Sequence, residues 1–486
     1  MENSREKYEV VIGLEIHAQM LTKSKAYSHD VNEFGAHPNT NVSVVSLGHP
    51  GTLPVMNKKT IENAIKLGLA CHSTIASHQY FARKNYFYPD LPKGYQITQD
   101  KTPICTGGYL VVKDDQGVYK NVGITRIHME EDAGKSIHDV DVYDTLVDLN
   151  RASVPLLEIV SEPDIRSSTE AYNYVSEVRK LVRYLDICDG NMEEGSLRCD
   201  ANISVRLLGA EEFGTKVEVK NMNSIRNVQR AIEFEISRQI EVLENGGEVS
   251  QETRGFDALK GVTVSMRSKE AANDYRYFPE PDLQPLFVDQ PQIDAVKNEM
   301  PALPRELYLK YTEQFGLSEY DATNLVDNKH IALYFEELLK HTTHIKTAAN
   351  LLMGEVKGYL NQQAIEITEF PILPERIAEM VNLIDAGKIS FSIATNKVFP
   401  ALFENQTDTV LEIATSLNVI QDSNEDSISV YIQQVIETNP IEVQRYVAGE
   451  KQLVGFLMGQ LMKVSQGKAD PKQANPLLRK KLDELV

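Results

Sequence analysis

The sequence predicts an α+β chain in three parts, and three observations carry the prediction. Its 486 residues exceed what one hydrophobic core serves and suit two or three domains. Short alternating strands, separated by Gly, Pro and Asn turns and accompanied by two clear helices, run to about residue 290. Beyond that the alternation fades and helical spacing replaces it.

Composition narrows the class. At 42% hydrophobic and 25% charged residues the chain matches an ordinary globular protein, which excludes a fibrous or disordered one. No apolar run approaches the ~18 residues of a membrane span, and the charged start Met1–Lys7 has no apolar core behind it. The expectation is a cytoplasmic protein. A net charge of -20 rules out nucleic-acid binding through the overall field, so any basic docking surface has to be local. Cys71, Cys105, Cys188 and Cys199 show no CxxC spacing and read as reduced thiols.

The first strand, Tyr8–Met20, is the sharpest signal. Val10, Ile12, Leu14, Ile16 and Ala18 make one apolar face, and Glu15, His17 and Gln19 share the other. A carboxylate and an imidazole there suit a divalent cation or a proton transfer; a merely wet outer face explains them equally well. Further strands add Arg126, His128 and Glu130, alternating with Ile127, Met129 and Glu131, then Asp200, Asn202 and Ser204, then Lys216, Glu218 and Lys220. Glu158 differs, because it interrupts the apolar run Pro155–Val160 and so needs a cation, an Arg or a proton.

Two helices follow from their caps. Ser167 opens one, with Glu170 placed to reach back, and the spacing from Ala171 to Leu185 is helical. The other runs from about Ser224 to the Asn245–Gly247 stop. Six prolines between 279 and 304 suggest a linker. Segments 348–361 and 375–385 read as bundle helices, and Asn405–Asp408 as a second break. The tail from Lys451 onward carries seven bases against three acids, 7 - 3 = +4, a local basic element.

If the polar faces converge, carboxylates holding Mg²⁺ beside bases for phosphate oxygens suit phosphoryl transfer. Arg83–Pro89 and Asp274–Pro279 add bases among aromatics, suited to a nucleotide or an RNA end or to surface cation–π packing. Gly134-Lys135-Ser136 is not a phosphate loop, since the required earlier glycine is Met129. The residues alone lead to a metal-assisted site of unknown substrate.

Taken together, Val11–His17, Arg83–Asp90, His128–Lys135, Leu157–Arg166, Glu193–Asn202 and Asp274–Asp282 resemble the B subunits of aspartyl/glutamyl-tRNA(Asn/Gln) amidotransferases. The resemblance implies a cradle-shaped mixed-sheet domain over 1–293, a helical bundle domain over 294–405 and a small helical tail domain over 406–486. It implies ATP- and Mg²⁺-dependent phosphorylation of the side-chain carboxylate of Glu-tRNA(Gln) or Asp-tRNA(Asn), then amidation by ammonia. An amidase A subunit would make that ammonia and a small C subunit would complete a heterotrimer. Glu15, His17, Glu130, Glu131 and Glu158 would be catalytic around Mg²⁺. Arg83, Lys84, Lys93, Arg126, Arg198, Asp200, Glu218, Lys220 and Arg276 would line the nucleotide, phosphate or ammonia path. Lys463, Lys468 and Lys472 would meet the outer body of the tRNA. The resemblance also implies, in many members, a zinc knot of two Cys pairs; around Glu33–Gly35 this chain has Ser28, Asp30, Ser43 and Ser46 instead, and because serine is a poor zinc ligand no structural zinc is expected. Two other readings stay open: a non-catalytic RNA-docking scaffold, and a self-contained ligase, for which no cysteine has local support as a glutaminase nucleophile.

Overall fold

The structure, a computed structural model, describes residues 5–138, 140–268, 274–421 and 425–485. The chain divides into two compact units, Met1–Leu303 and Pro304–Val486.

The first unit is built on a ten-stranded sheet. Its strands are β1 (Tyr8–Gln19), β2 (Thr74–Ile75), β3 (Cys105–Thr106), β4 (Tyr109–Lys113), β5 (Tyr119–Glu131), β6 (Pro155–Ser161), β7 (Leu197–Leu207), β8 (Val217–Lys220), β9 (Glu252–Asp257) and β10 (Val262–Ser268). They lie in the order β10-β9-β8-β7-β1-β6-β5-β3-β2, with β4 also paired to β5. β8 and β9 run parallel and the other pairs antiparallel. The fold is therefore mixed, with sheet and helices segregated as in α+β proteins.

Alternation sets the two faces of the central strands. Val10, Ile12, Leu14, Ile16 and Ala18 of β1 join Ile127 and Met129, Leu157 and Ile159, and Ala201, Ile203 and Val205 in one buried core. Helices α1 (Lys58–Ala70), α2 (Ser168–Tyr184) and α3 (Ile225–Glu244) complete that core through residues such as Leu67, Tyr174, Val178, Ile232 and Ile236. The caps form where the sequence puts them: Ser167 accepts from the Glu170 N–H and Ser224 from the Asn227 N–H. Glu170 does not close the expected box, because its carboxylate accepts from the Arg166 N–H and Lys120 instead.

The proline-rich stretch 280–304 is more than a linker. Asp289 and Gln292 form a capping box, Pro291 fits the first turn, and Gln290–Asn298 is a helix whose Val296 joins the first unit's core.

The second unit is helical. Ile345–Leu351, a π-helical turn at Leu352–Val356, and Lys357–Gln363 form one irregular rod, and Pro374–Asp385 another helix. The Asn405–Asp408 break is a turn to which Arg376 donates, at the carbonyls of Asn405 and Asp408. Farther on, Ile428, Ile432, Leu457, Leu461, Leu478 and Leu482 gather in a core of their own. Among the described residues no helix is long and apolar enough to cross a membrane.

Candidate functional site

Strand register assembles the site. On β1, Glu15 lies opposite Asp200 of β7 and Val160 of β6, and His17 opposite Arg198 and Glu158. Glu158 in turn lies opposite His128 of β5, and Leu156 opposite Glu130. Residues that alternate with core positions thus form adjacent rows on the face away from the helices.

Those rows converge on Glu158. The His17 Nε2 stands 3.4 Å and the His128 Nε2 3.3 Å from its Oε2. Glu130 completes the group, 3.8 Å from His17 and 3.7 Å from His128. Ligand atoms of His17, Glu130 and Glu158 all lie within 4.8 Å of one another, a spacing suited to one metal ion. Glu15 flanks the group and accepts from the Asn202 amide at 2.9 Å. Lys220 bridges Asp200, at 2.5 Å, and Glu218, at 3.1 Å.

Electrostatics follow from this crowding. Burial works against the Glu158 carboxylate, but hydrogen bonds from His128 and His17 outweigh it and hold its carboxyl well below the usual range. Burial likewise opposes charge on His128, yet Glu130 and Glu158 push its pKa up to about 9. Glu15 moves the other way: burial raises its carboxyl, and Glu158, Asp200 and Glu218 add repulsion. Lys84 is opposed by burial and kept charged by Glu130, Tyr277 and Glu158. The His128 Nδ1 is buried without a partner.

Two adjoining cavities open over the cluster. The smaller, about 360 Å³, is walled by Glu15, Thr98, Asp100, Arg126, Glu218 and Tyr275 among others. The larger, about 610 Å³, adds Leu156, Met192, Arg198, Cys199, Met222 and Phe256. His17, Lys84, Glu130, Glu158, Asp200 and Lys220 line both.

The remaining expected residues are spread more widely. Glu131 points to the core side, has no exposed surface, accepts from the Ile97 N–H and Ser153, and pairs with Lys93. Arg83 is held by both oxygens of Glu280 and by Asp282, over the Tyr95 ring. Arg276 is an exposed side chain 3.6 Å from Asp274 and lines neither cavity. Arg198 reaches the larger cavity while donating to Asp132 at 2.8 Å. Lys463 and Lys472 are exposed and Lys468 half-buried, around the turn at Gln466 and Gly467, both with positive φ. Gly134 has its own reason: a Cβ there would sit 2.9 Å from the Asp148 carbonyl and 3.0 Å from that of Asp90.

The zinc-knot positions do meet. Asp30 accepts from Ser46 and from the Ser43 N–H at 2.9 Å, and Ser28 lies 3.1 Å from the Ser46 hydroxyl. The donor set is three hydroxyls and one carboxylate, the carboxylate already engaged by Ser46 and by the Ser43 N–H, and three serine hydroxyls do not fit Zn²⁺.

Sequence reasoning misses the apolar wall of the larger cavity. Met192, Met222 and Phe256 lie on three separate segments, and nothing in their local patterns marks them as other than core.

Residues 10–294 match the family model described as the GatB/GatE catalytic domain, and residues 333–482 that of the GatB domain. Curated relatives named as B subunits of aspartyl/glutamyl-tRNA(Asn/Gln) amidotransferase are similar over nearly the whole chain. That of Halorhodospira halophila is 50% identical over 480 residues, 98% of this chain and 99% of the relative. Those of Chlorobium phaeobacteroides and of a Synechococcus strain are 50% and 47% identical, over 98% of this chain and 99% and 98% of the relatives. With the sheet, the carboxylate–histidine cluster and these matches in hand, the chain belongs to the family of aspartyl/glutamyl-tRNA(Asn/Gln) amidotransferase B subunits.

Proposed function

We propose that this chain transfers the γ-phosphoryl group of ATP to the side-chain carboxylate of Glu-tRNA(Gln) or Asp-tRNA(Asn) and then receives ammonia at the same place. The observation that carries the reading is the His17–Glu130–Glu158 group at the junction of two cavities that share Lys84 and Lys220.

The chemistry sets the requirement. A carboxylate resists ammonia, so its oxygen first attacks the γ-phosphorus and ADP leaves, giving an acyl phosphate. Ammonia then adds to the carbonyl carbon and inorganic phosphate departs, leaving the amide. Two carboxylates and one imidazole fit a divalent cation, and the crowded Glu15 carboxyl is a group that a cation would relieve. Bound there, Mg²⁺ would neutralise charge on the phosphate oxygens. Lys84 and Lys220 would hold the triphosphate and the transferred group in place. Glu131, Lys93 and Ser153 form a buried polar track suited to ammonia on its way from the amidase.

The same reading treats 1–293 as a cradle, 294–405 as a helical bundle and 406–486 as a tRNA-binding tail with Lys463, Lys468 and Lys472. It places the chain in a cytoplasmic heterotrimer with amidase A and small C subunits. The docking-scaffold alternative gives no use to a buried acidic cluster beside a polyanion. The assembled complex, given mischarged tRNA, glutamine and MgATP, is expected to release one ADP per amidated tRNA. Amidation without ADP release would overturn the reading.

A further inference from the structure

The second unit places one imidazole between two carboxylates from different helices. Glu337 lies in the last turn of the helix Lys329–Leu338. His341 follows four residues on, just past the helix end, where its N–H still donates to the Leu338 carbonyl. Glu375 lies in the first turn of the helix Pro374–Asp385. The His341 Nε2 stands 3.8 Å from the Glu337 Oε1 and 3.6 Å from the Glu375 Oε1. Ligand atoms of the three residues all lie within 4.8 Å of one another.

Both His341 distances are too long for a hydrogen bond. They come close to the ~3.4 Å between two donors that share one tetrahedral ion through bonds of ~2.1 Å. The Glu337 Oε2 takes Lys340 at 2.5 Å, so the other oxygen is the one turned to His341. The Glu375 Oε2 is buried without a hydrogen-bond partner, a cost that an ion held by both oxygens would remove. The histidine's backbone is pinned to the helix that carries Glu375. Its carbonyl accepts from the Asn382 amide at 3.1 Å, and the Thr342 hydroxyl donates to the Asn382 Oδ1 at 2.7 Å. The carbonyl end of the helix Lys329–Leu338 also favours a cation beside it. An imidazole with two carboxylates suits a divalent transition-metal ion better than Mg²⁺, which prefers oxygen alone. From this geometry we infer that Glu337, His341 and Glu375 hold such an ion, with water completing its shell, and that the ion ties the end of one helix to the start of the other. The three side chains are 40–45% exposed, so the ion exchanges with solvent rather than surviving purification. The site shares no residue with the His17–Glu130–Glu158 group.

The test titrates Co²⁺ into the assembled complex carrying Glu158→Gln, which takes a ligand from that other group, and follows the heat of binding. In this background His341→Ala should weaken one Co²⁺ site tenfold or more, since even an outer-shell partner is worth about that. Glu375→Gln, which keeps the side chain's size, should act in the same direction and separates a lost ligand from a disturbed fold. Mg²⁺ should bind the same site at least tenfold more weakly than Co²⁺. Bound Co²⁺ should also slow amide hydrogen exchange over 337–343 and 374–382, and the slowing should vanish in His341→Ala. Co²⁺ affinity within twofold of the parent in both variants, or equal affinity for Mg²⁺, would overturn the site. Weaker binding in the variants with no slowing of exchange in the parent would overturn the tie between the helices.

Discussion

Lys25 has none of its surface in water, and its ammonium donates to the Leu149 carbonyl at 3.4 Å. Burial pushes its pKa down to about 8, with Asp30 opposing that shift and Lys93 adding to it. Below pH 8 the folded and unfolded chains both carry the proton, so the full burial penalty is present. Between about 8 and about 10.4 the unfolded chain holds more protons than the folded one, and stability rises with pH. Lys25→Met should therefore stabilise the first unit by about 3 kcal/mol at pH 7.5 and by progressively less toward pH 10. Urea denaturation of both proteins across that range checks it, and a difference independent of pH would contradict it. Nothing in the sequence around Lys25 marks it as buried. Glu158 is legible because an apolar run surrounds it; the sequence reads both Glu130 and Glu131 as cation ligands, and only the strand pairing puts Glu130 in the cluster and Glu131 in the core. The pairing of Arg83 with Glu280 is not legible, because the partner lies 197 residues away. His128 sits on a polar face that alternation reveals, but only its register opposite Glu158 puts it in the cluster.

At the scale of elements, the long strands read well because period-two alternation against a helix-covered core leaves one register. The caps at Ser167 and Ser224 read well because their chemistry is local. The two-residue strands at Thr74–Ile75 and Cys105–Thr106 could not be read, since pairing with distant partners rather than local pattern defines them. The loop around Asp30 is held by a hydrogen-bond network on that carboxylate. Asp30→Ala would leave the Ser43 N–H and the Ser46 hydroxyl without their acceptor. A loss of about 1–3 kcal/mol is expected in chemical denaturation, and metal analysis of the purified chain should find well under one zinc per molecule. Stoichiometric zinc would contradict this account of the loop.

Across the whole molecule, the helical half is legible as helices but its subdivision is not. The Asn405–Asp408 break looks like a boundary, yet Val410–Ser416 packs back on Pro374–Asp385, with the Val410 N–H donating to Glu379. The tail's own core begins at Ile428. A truncation after Gln421 therefore removes the basic tail more cleanly than one after Asn405. It should weaken tRNA binding and flatten its salt dependence by roughly one unit of slope for each phosphate the tail had neutralised, leaving tRNA-independent glutamine hydrolysis unchanged. Unchanged tRNA affinity and salt slope would make the tail structural. On the proposed reading the acidic cluster serves phosphoryl transfer, and Glu158→Gln strikes at its centre. The substitution keeps the side chain's size and removes the charge shared by His17 and His128. In the assembled complex, tRNA-dependent ADP release should fall by about 100-fold or more, the scale expected when a positioned electrostatic group is removed. Glutaminase activity measured without tRNA should stay near wild type. ADP release at the wild-type rate by Glu158→Gln would contradict the account.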